Sequence, residues 1–393
     1  MEVGIPVADR YPAIPECRGQ GINGVGGTQL CPRGGQLTNV MSSSLFDFEP
    51  RDWRTDAGGR VRFALVGVGW WTTEFVLPAI ETVDHCVTTT VVSSSTEKTD
   101  RVRAEYDSVE HGLTYEEFAD GEAVDEYDAV YVCTPNATHL EHVEAAAEHG
   151  KAVLCEKPME ATVERAESLV AACADVPLMI AYRMHTEPAV RRARALVRDG
   201  VIGDPQLVHG ENSQPLLEMI DDPDQWRLNP DLTGYGTSVM DLGIYPLNTA
   251  RFILDADPVS VQSTMAAAHE AFDEVPDEVA TFSAVYDDGT HAAFSSSQNA
   301  QDHTRLEIVG TEGRIELEPA FHMETQLTVA RGEDTVEFDT AGVDQMAEEF
   351  EYFAQRVLAD EPLYADGQHG LLDMKAIRAV HEAADSGGTV DVE

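Results

Sequence analysis

The sequence predicts an α/β protein in which a doubly wound parallel sheet is followed by an α+β domain with a large, mostly antiparallel, open sheet. Three observations lead to this fold class. Between Arg62 and Tyr182, short apolar runs alternate with helical stretches, the order of a parallel sheet with crossover helices. The first apolar run leads straight into a glycine turn. Beyond Arg183 the pattern changes to alternating apolar and polar residues with hairpin signals, as in neighbouring antiparallel strands.

The elements of the parallel half follow from their apolar patterns and end signals. Gly150 follows an amphipathic stretch with alanines on one face and ends that helix. In chain order we predict a strand running into the glycine turn at 62–70, a helix at 72–81, strands at 87–93 and 127–133, a helix at 139–149, a strand at 152–155, a helix at 163–173 and a strand at 178–182.

The second half opens with a predicted helix at 188–198, which Gly200 ends. Asp287-Asp288-Gly289 is typical of a hairpin turn, because glycine adopts positive φ without strain. The predicted strands lie at 206–211, 259–266, 279–286, 291–297, 305–309 and 314–317. Two late helices, at 344–358 and 370–385, should pack back on the first half. We therefore expect a first domain at 61–183, a second domain at 184–343, and a C-terminal segment at 344–393 that contains the two late helices.

The charge of the chain indicates its environment. Acidic residues outnumber basic ones by 71 to 26, which gives a net charge of −45, while 43% of the residues are hydrophobic. That hydrophobic fraction can sustain a core, so the chain should fold. Self-repulsion of this size is screened within roughly 3 Å at 1 M salt. The composition therefore predicts a protein from the cytoplasm of an extreme halophile, without the basic face that nucleic acid requires.

Cysteine and apolar patterns exclude further classes of protein. The six cysteines form no Cys-x-x-Cys pair, and Cys133 and Cys155 lie inside apolar runs, so we interpret them as core residues of a reducing compartment. No apolar run approaches the roughly 18 residues of a membrane span, so we expect no membrane partner. No histidine and cysteine cluster has metal-ligand spacing, so we expect no metal.

Residues 1–40 differ from the rest in composition. They are rich in Gly, Pro and Arg and contain almost no acid, whereas a halophilic protein should be acidic throughout. We interpret them as a doubtful or disordered extension, with Met41 as the true start and residues 41–60 as an N-terminal arm. The competing interpretation is a flexible arm that makes contacts within an oligomer.

The glycine turn indicates a dinucleotide site. Gly67 and Gly69 are the first two glycines of a G-x-G-x-x-G pattern, with Thr72 at the third position. They permit a tight turn and a close approach of the backbone to a pyrophosphate. Trp70 and Trp71 lie in the same turn, where one could cover the cofactor or substrate. A plain glycine turn is the alternative, which the strand before it and the helix after it disfavour.

The residues after the second strand select the form of the dinucleotide. An NAD site normally has an acidic residue at this strand end to bind the ribose 2′-hydroxyl. This strand ends instead in Ser93 and Ser94, and Lys98 follows. Hydroxyl groups and a cation suit a 2′-phosphate, which an acid would repel. We therefore predict NADP as the cofactor rather than NAD.

Lys157 is the first candidate for a catalytic residue. Only four lysines occur in the chain, so lysine has been nearly removed from this composition. Lys157 persists at the end of an apolar strand in the segment Cys-Glu-Lys-Pro at 155–158. This persistence indicates that the ammonium group has a chemical role.

Three segments together resemble the glucose–fructose oxidoreductase / inositol dehydrogenase family: GVGWWT at 67–72, CTPNATHLEHVEAAAEHGKAVLCEKP at 133–158 and GTSVMDLGIYPLN at 236–248. The resemblance runs from about Arg62 to the C-terminus. It implies an N-terminal Rossmann domain, and a C-terminal domain whose open sheet face forms oligomer contacts, which predicts a homo-oligomer (dimer or tetramer).

The resemblance also implies roles for residues of this chain. Lys157 is similar to the catalytic lysine of the family, and Glu156 and Pro158 to the residues that shape the nicotinamide pocket. Asp241 and Tyr245 match an Asp-x-x-x-(His/Tyr) element. Further positions similar to cofactor-lining residues of the family are Thr134, Pro135, Asn136, His139, Arg183, Trp226 and Arg227.

The spacing of Asp241 and Tyr245 supports a shared site. Residues four apart lie on one face of a helix, although Pro246 should kink the helix at that point. Oxidation of a hydroxyl by hydride transfer needs a base, and the Tyr245 phenolate could serve if a cation such as Lys157 stabilised it. The alternative is that Asp241 caps local backbone and Tyr245 belongs to the core. His185 is expected at the surface or at a hinge.

The expected function is that of an NADP-dependent aldose 1-dehydrogenase, which oxidises C1 of a pyranose to a lactone. The tyrosine at 245 and the acidic composition resemble haloarchaeal sugar dehydrogenases and favour D-xylose, with D-glucose next. Three alternatives remain: a glucose–fructose-type oxidoreductase with tightly bound NADP, a polyol or inositol dehydrogenase, and a non-catalytic dinucleotide-sensing regulator. The retained Lys157 argues against the regulator, and Tyr245 in place of histidine argues against the polyol enzymes.

Overall fold

The structure is a computed structural model and describes residues 48–55, 57–220, 222, 225–322, 324–338, 340 and 342–393. The expected extension at 1–40 and the first residues of the expected arm, 41–47, lie outside this range. The described chain forms a parallel sheet followed by a mostly antiparallel one, which confirms the predicted fold class.

The first sheet has six parallel strands within the described residues, in the order β3-β2-β1-β4-β5-β6. Between Val66 and β2 the chain passes through a π-helical turn, Thr72–Val76, into the short helix α1. The strands are β1 (Val61–Val66), β2 (Cys86–Val92), β3 (His111–Leu113), β4 (Ala129–Val132), β5 (Ala152–Glu156) and β6 (Leu178–Ala181), and the helices are α1 (Leu77–Ile80), α2 (Thr96–Glu105), α3 (Tyr115–Ala119), α4 (His139–Glu148) and α5 (Val163–Ala172).

The second sheet follows helix α6 (Pro188–Arg198) and has the order β14-β13-β12-β11-β7-β10-β9-β8-β15. Its strands are β7 (Pro205–Pro215), β8 (Pro258–Ala266), β9 (Val279–Tyr286), β10 (His291–Ser297), β11 (Asn299–Gly310), β12 (Arg314–Leu317), β13 (Leu327–Arg331), β14 (Asp334–Phe338) and β15 (Val390–Asp391). The helices are α7 (Leu216–Met219), α8 (Pro230–Thr233), α9 (Ile244–Leu254), α10 (Gln345–Ala359) and α11 (Gly367–Ser386).

Helix α10 packs against the first sheet through aromatic side chains. Phe350 makes edge-to-face contacts with Phe63 of β1 and Tyr131 of β4, each with ring centroids 5.1 Å apart. Trp53 is buried and packs edge-on against Tyr352 of the same helix, 5.5 Å between centroids. The C-terminal chain thus covers the sheet whose strand ends carry the site.

Parts of the fold differ from the sequence-based expectation. Strands β7 and β10 pair in parallel, so the second sheet is not a simple run of neighbouring antiparallel strands. The two strands can pair in parallel because a long stretch of chain lies between them, and parallel strands need a long connection. The sequence also did not predict helices α2, α3, α7 and α8 or strands β3, β13, β14 and β15. These elements are short or strongly polar and therefore have a weak apolar pattern.

No helix in the described ranges combines the length and the apolar composition that a membrane crossing requires.

Candidate functional site

The glycine turn lies at the point where the order of the first sheet reverses, between β1 and β4. Gly67 has a φ of 101°, and a Cβ there would lie 2.1 Å from the carbonyl oxygen of Cys133. Only glycine therefore allows the turn to approach the end of β4 so closely. Thr72 is buried and donates its hydroxyl to the Gly67 carbonyl at 2.6 Å, so it closes the turn. Around Gly69, a Cβ would meet no atom within 4 Å.

An aromatic cluster stands on this turn. The ring of Trp71 stacks on Phe75 at a centroid distance of 4.6 Å, and Trp70 meets Phe75 edge to face at 5.1 Å. Trp70 is 65% exposed, whereas Trp71 is half-buried, with the guanidinium of Arg183 lying 5.2 Å from its ring. Trp71 therefore faces the interior of the site and Trp70 faces solvent.

The end of β2 presents hydroxyl groups beside a helix N-terminus. Ser93 is buried, with its hydroxyl accepting the backbone N–H of Ser95 at 3.2 Å, and Ser95 caps α2. Ser94 and Lys98 are exposed. Glu97 is also exposed and lies 3.9 Å from Arg101, one turn away on α2. The edge therefore combines helix N–H donors, a hydroxyl and an ammonium group without an acid at the strand end.

The residues after β4 are held mainly by protein contacts. The side-chain amide of Asn136 donates to the Thr233 carbonyl at 3.0 Å. His139 is buried, and its two ring nitrogens lie 2.8 Å from the Thr134 carbonyl and 3.2 Å from the Met159 carbonyl. Thr134 and Pro135 are half-buried next to the glycine turn. Asn136 and His139 thus shape the loop, while the backbone and side chains at 134–135 remain partly accessible.

Strand β5 ends in Glu156 and delivers Lys157 to the site. Glu156 accepts the Tyr131 hydroxyl at 2.7 Å and the backbone N–H of Lys157 at 3.2 Å. Pro158 is buried and follows a cis peptide bond. The carboxylate of Glu156 is thereby engaged with protein donors, and its partners orient the strand end that carries the lysine.

Lys157, Asp241 and Tyr245 meet in one cluster. The Lys157 ammonium donates to the Asp241 carbonyl at 3.0 Å and to Asp241 Oδ1 at 3.1 Å. The same nitrogen lies 4.5 Å from the centroid of the Tyr245 ring. The lysine side chain is only 12% exposed, so these contacts occur in a partly desolvated site where charges interact strongly.

The second oxygen of Asp241 has partners of its own. Oδ2 accepts Arg227 Nε at 3.0 Å and the side-chain amide of Gln298 at 3.1 Å. Trp226 lies under the Arg227 guanidinium, 4.6 Å from the ring centroid. The carboxylate is therefore held on both oxygens by donors from three separate parts of the chain.

The electrostatics keep this ion pair charged. Burial opposes the charged form of Lys157, but Tyr245, Asp241 and Glu156 outweigh it and raise the pKa of the lysine. Burial also opposes the Asp241 carboxylate, yet Lys157 and Arg227 hold the pKa of that carboxyl well below its usual range. Neither group of the pair changes its charge across neutral pH, so both are available as fixed charges around a substrate.

The helix that carries Asp241 and Tyr245 is not regular. A π-helical turn, Val239–Gly243, runs into α9 at Ile244. Pro246 lacks an N–H donor and would clash with the carbonyl four residues earlier in a regular helix. The wider turn takes the place of the expected kink, and both Asp241 and Tyr245 still reach the same ammonium.

Arg183 and the segment after β12 form the opposite wall. The Arg183 guanidinium lies 5.3 Å from the Tyr245 ring and donates to the Phe321 carbonyl at 3.0 Å. Phe321 is buried, with its ring 6.0 Å from that of Tyr245. Burial, together with the charges of Arg183 and Lys157, lowers the pKa of His322 to about 4, which keeps its imidazole neutral at neutral pH.

The expectation that His185 lies at the surface is wrong, and its expected place at a hinge stays a prediction. The imidazole is buried, stacks on Phe252 at 4.2 Å between centroids, and shares a 2.7 Å hydrogen bond with Asn248 Oδ1. Burial and the neighbouring His369 lower the pKa of His185 well below its ordinary value. The apolar residues around it come from distant parts of the chain, which the local sequence does not reveal.

The structure brings most of the predicted site residues to one edge of the first sheet. It adds Gln298 and the segment 321–322, which sequence reasoning missed because these residues lie in ordinary strand or loop sequence. Among the described residues, no group of three or more His, Cys, Asp or Glu side chains could hold a metal ion. The arrangement can bind a dinucleotide at the glycine turn and transfer a proton at the Lys157–Tyr245 cluster.

Two family models match the chain. The model described as oxidoreductase family, NAD-binding Rossmann fold, matches residues 61–183. The GFO/IDH/MocA C-terminal domain model matches residues 190–316. The first match spans the whole first sheet, and the second spans β7 to β11 and most of β12 of the second sheet.

Individual relatives extend this result. A protein of Haloarcula marismortui called D-xylose 1-dehydrogenase [NADP(+)] is 53% identical over 352 residues, which is 88% of this chain and 98% of that protein. A D-xylose 1-dehydrogenase (NADP(+)) 2 of Haloferax volcanii is 29% identical over 84% of this chain and 99% of its own length. A solved structure, the aldose-aldose oxidoreductase of Caulobacter crescentus complexed with glycerol, superposes with a TM-score of 0.80 at 31% identity, covering 84% of this chain and 99% of that one.

The two family models and the 53% identical relative cover most of the chain. The chain belongs to the GFO/IDH/MocA oxidoreductase family.

Proposed function

We propose that the protein is an NADP-dependent aldose 1-dehydrogenase that oxidises C1 of D-xylose and forms the lactone and NADPH. The observation that carries the proposal is the cluster of Lys157, Asp241 and Tyr245 at the strand ends of a dinucleotide-binding sheet. The 53% identical relative, named as an NADP(+)-dependent D-xylose 1-dehydrogenase, supports the cofactor and the substrate.

The residues present fit NADP. Gly67 leaves room for a close approach of the backbone, and Gly69 faces open space. Ser94, Lys98 and the N-terminal N–H groups of α2 would hold the 2′-phosphate, because they supply donors and a positive charge at the end of β2. The nicotinamide end of the cofactor would be lined by Thr134, Pro135 and Trp71. The wall around it would be formed by Arg183, Trp226, Arg227, Glu156 and Pro158.

The chain's own residues would handle the proton. NADP, when bound, accepts the hydride that leaves C1. The Tyr245 oxygen would take the proton of the C1 hydroxyl, and the Lys157 ammonium beside the ring would stabilise the phenolate. Asp241 holds Lys157 in place and keeps it charged. The side chains of Lys157 and Asp241 are only 12% and 17% exposed, and this partial desolvation strengthens these interactions.

The proposal is tested by measuring reduction of NADP and NAD by the purified protein in molar KCl with xylose, glucose, arabinose, ribose, galactose and inositol. Rapid NADPH formation with xylose is the expected result. Protein that binds NADP but oxidises no free sugar would contradict the dehydrogenase. Conversion of one aldose by another without added NADP would instead match the activity named for the 31% identical structural relative.

Replacing Lys98 with glutamate should shift cofactor preference toward NAD. The substitution puts a negative charge where the 2′-phosphate would bind, so we expect KM for NADP to rise at least about tenfold and KM for NAD to change little. Steady-state kinetics with both cofactors measure this. Glu97→Lys, the opposite change at the neighbouring exposed position, is the matched control and should not favour NAD. An unchanged NADP/NAD ratio in the Lys98 variant would show that the 2′-phosphate lies elsewhere.

We also propose that the protein works in the cytoplasm of a halophile. The net charge of −45 and the two haloarchaeal relatives support this proposal. Screening by molar salt reduces the repulsion among the acidic groups. Activity and folding should therefore require high salt.

The outer face of the second sheet supports a homo-oligomer. In a chain this acidic, the outward side chains of three adjacent strands, β7, β10 and β9, include a single acid, Glu211. These residues are Leu207, His209, Glu211 and Ser213 on β7, His291, Ala293, Ser295 and Ser297 on β10, and Val279, Thr281, Ser283 and Val285 on β9. We propose that this face joins two copies, as a dimer or within a tetramer.

Replacing Ala293 with aspartate should dissociate the oligomer. Ala293 lies between His209 and Ser283 at the middle of the face, so aspartate there would bury a carboxylate in the interface at a cost in free energy of association. Light scattering after gel filtration in molar KCl would show a lower mass than for the wild type. Ala174→Asp, on an exposed loop after α5, should keep the wild-type mass. An Ala293 variant of unchanged mass would place the interface elsewhere.

A further inference from the structure

The second sheet contributes a buried amide to the cluster of charges. Gln298 follows β10, is fully buried, and donates its side-chain amide to Asp241 Oδ2 at 3.1 Å. The same nitrogen lies 3.5 Å from the Thr237 carbonyl, just before the helical segment that carries Asp241. One side chain therefore contacts both the carboxylate and the start of its helix.

A second glutamine decides which way this amide points. Gln214 of β7 is buried and donates its own amide to Gln298 Oε1 at 2.7 Å. An amide has an acceptor end and a donor end, so a donor at its oxygen turns the nitrogen of Gln298 toward Asp241. The two glutamines therefore form a chain of hydrogen bonds with a fixed direction, in which Gln214 donates to Gln298 and Gln298 donates to the Asp241 carboxylate.

The backbone of Gln298 is fixed as well. Its N–H donates to the Glu278 carbonyl at 2.9 Å, and its carbonyl accepts the Leu216 N–H at 2.8 Å. The backbone of Gln298 is thus held by the residue before β9 and by the first residue of α7. Arg227, the other partner of Asp241 Oδ2, has a side chain that is 28% exposed and is held less firmly.

We propose that Gln298 is a positioning residue of the site, which holds Asp241 so that its other oxygen fixes the Lys157 ammonium beside Tyr245, and that Gln214 sets the direction of the Gln298 amide. The role rests on the proposed dehydrogenase function. Without the amide, Arg227 and Lys157 would compete for a carboxylate that could rotate between them. The ammonium would then lose its fixed place beside the Tyr245 ring.

Gln298→Glu gives a test with a distinctive pH profile. The introduced carboxyl has nearly the same shape as the amide, and in its protonated form it can still donate to Asp241. In its ionised form it places a second negative charge within hydrogen-bond distance of the Asp241 carboxylate. The ratio of kcat in the variant to kcat in the wild type, with xylose and saturating NADP, should fall at least about tenfold between pH 6 and pH 9.

Matched variants separate positioning from a general loss of structure. Gln368→Glu makes the same change at an exposed site on α11 and should give a flat ratio across this pH range. Gln214→Glu converts the donor at Gln298 Oε1 into an acceptor, so the Gln298 amide should turn over and kcat should fall. Titration with NADPH, followed by fluorescence, should give wild-type binding for all three variants.

The outcomes separate this inference from the proposed function. A Gln298→Glu ratio that stays flat with pH, in a protein that oxidises xylose, contradicts the positioning role. A wild type that oxidises no aldose contradicts the proposed function instead. If the wild type oxidises no aldose, or if Gln298→Glu does not fold, a crystal structure of Gln298→Leu tests the positioning role of Gln298 directly. Asp241 Oδ1 displaced from Lys157 Nζ supports the inference, and an unmoved carboxylate overturns it.

Discussion

Replacing Lys157 with methionine should lower kcat for xylose oxidation at least about 100-fold, the lower range of general acid–base effects. Methionine keeps most of the length of the side chain but removes the ammonium that lies 4.5 Å from the Tyr245 ring. The phenolate would then lose its nearest cation. Asp241 would still have Arg227 and Gln298 as partners, so the substitution leaves no buried charge unpaired.

Steady-state kinetics and NADPH titration of the same preparation measure this effect. NADP binding should persist, because the glycine turn and the end of β2 are unchanged. Lys375→Met removes the same charge from α11, whose residues make none of the hydrogen bonds of Lys157 described above, and it should retain wild-type turnover. Near-normal kcat in the Lys157 variant would rule out its assigned role.

Replacing Tyr245 with phenylalanine should lower kcat by about 100-fold to 10,000-fold, because the group proposed to take the hydroxyl proton is gone. The ring itself would stay, and with it the packing on Phe321 and the contacts with the Lys157 and Arg183 cations. Loss of activity would then reflect the hydroxyl group alone. The melting temperature should change little.

The control for this substitution is Tyr364→Phe, which also removes a single hydroxyl group. Its oxygen contacts Asp255 at 3.3 Å on a partly exposed surface, so turnover should be unaffected. If Tyr245→Phe retains wild-type kcat while Lys157→Met does not, the proton acceptor would have to be water or another group of the site. That result would overturn the role of Tyr245 as proton acceptor; the Lys157 ammonium would still be required, but not to stabilise a Tyr245 phenolate.

The family resemblance noted in the sequence is confirmed by the two family models, and the predicted fold class is confirmed by the two sheets. Both rest on local patterns: apolar runs of strand length, a glycine turn between a strand and a helix, and the Glu-Lys-Pro segment. The individual site residues remain predictions, although the structure places Lys157, Asp241 and Tyr245 together as their spacing suggested. His185 shows the limit of such reasoning, because no neighbouring residue in the sequence indicates that its side chain is buried against Phe252.

The sequence by itself determined the fold class, the position of the glycine turn, the acidic composition and the lysine retained at the end of a strand. Each of these depends on residues close together in the chain. Only the tertiary structure decided that Gln298 and Gln214 support Asp241, that Arg183 and Phe321 wall the site, and that β7 and β10 run in parallel. These contacts join residues tens to more than a hundred positions apart, and side-chain hydrogen bonds at such separations leave no periodic trace in a single sequence.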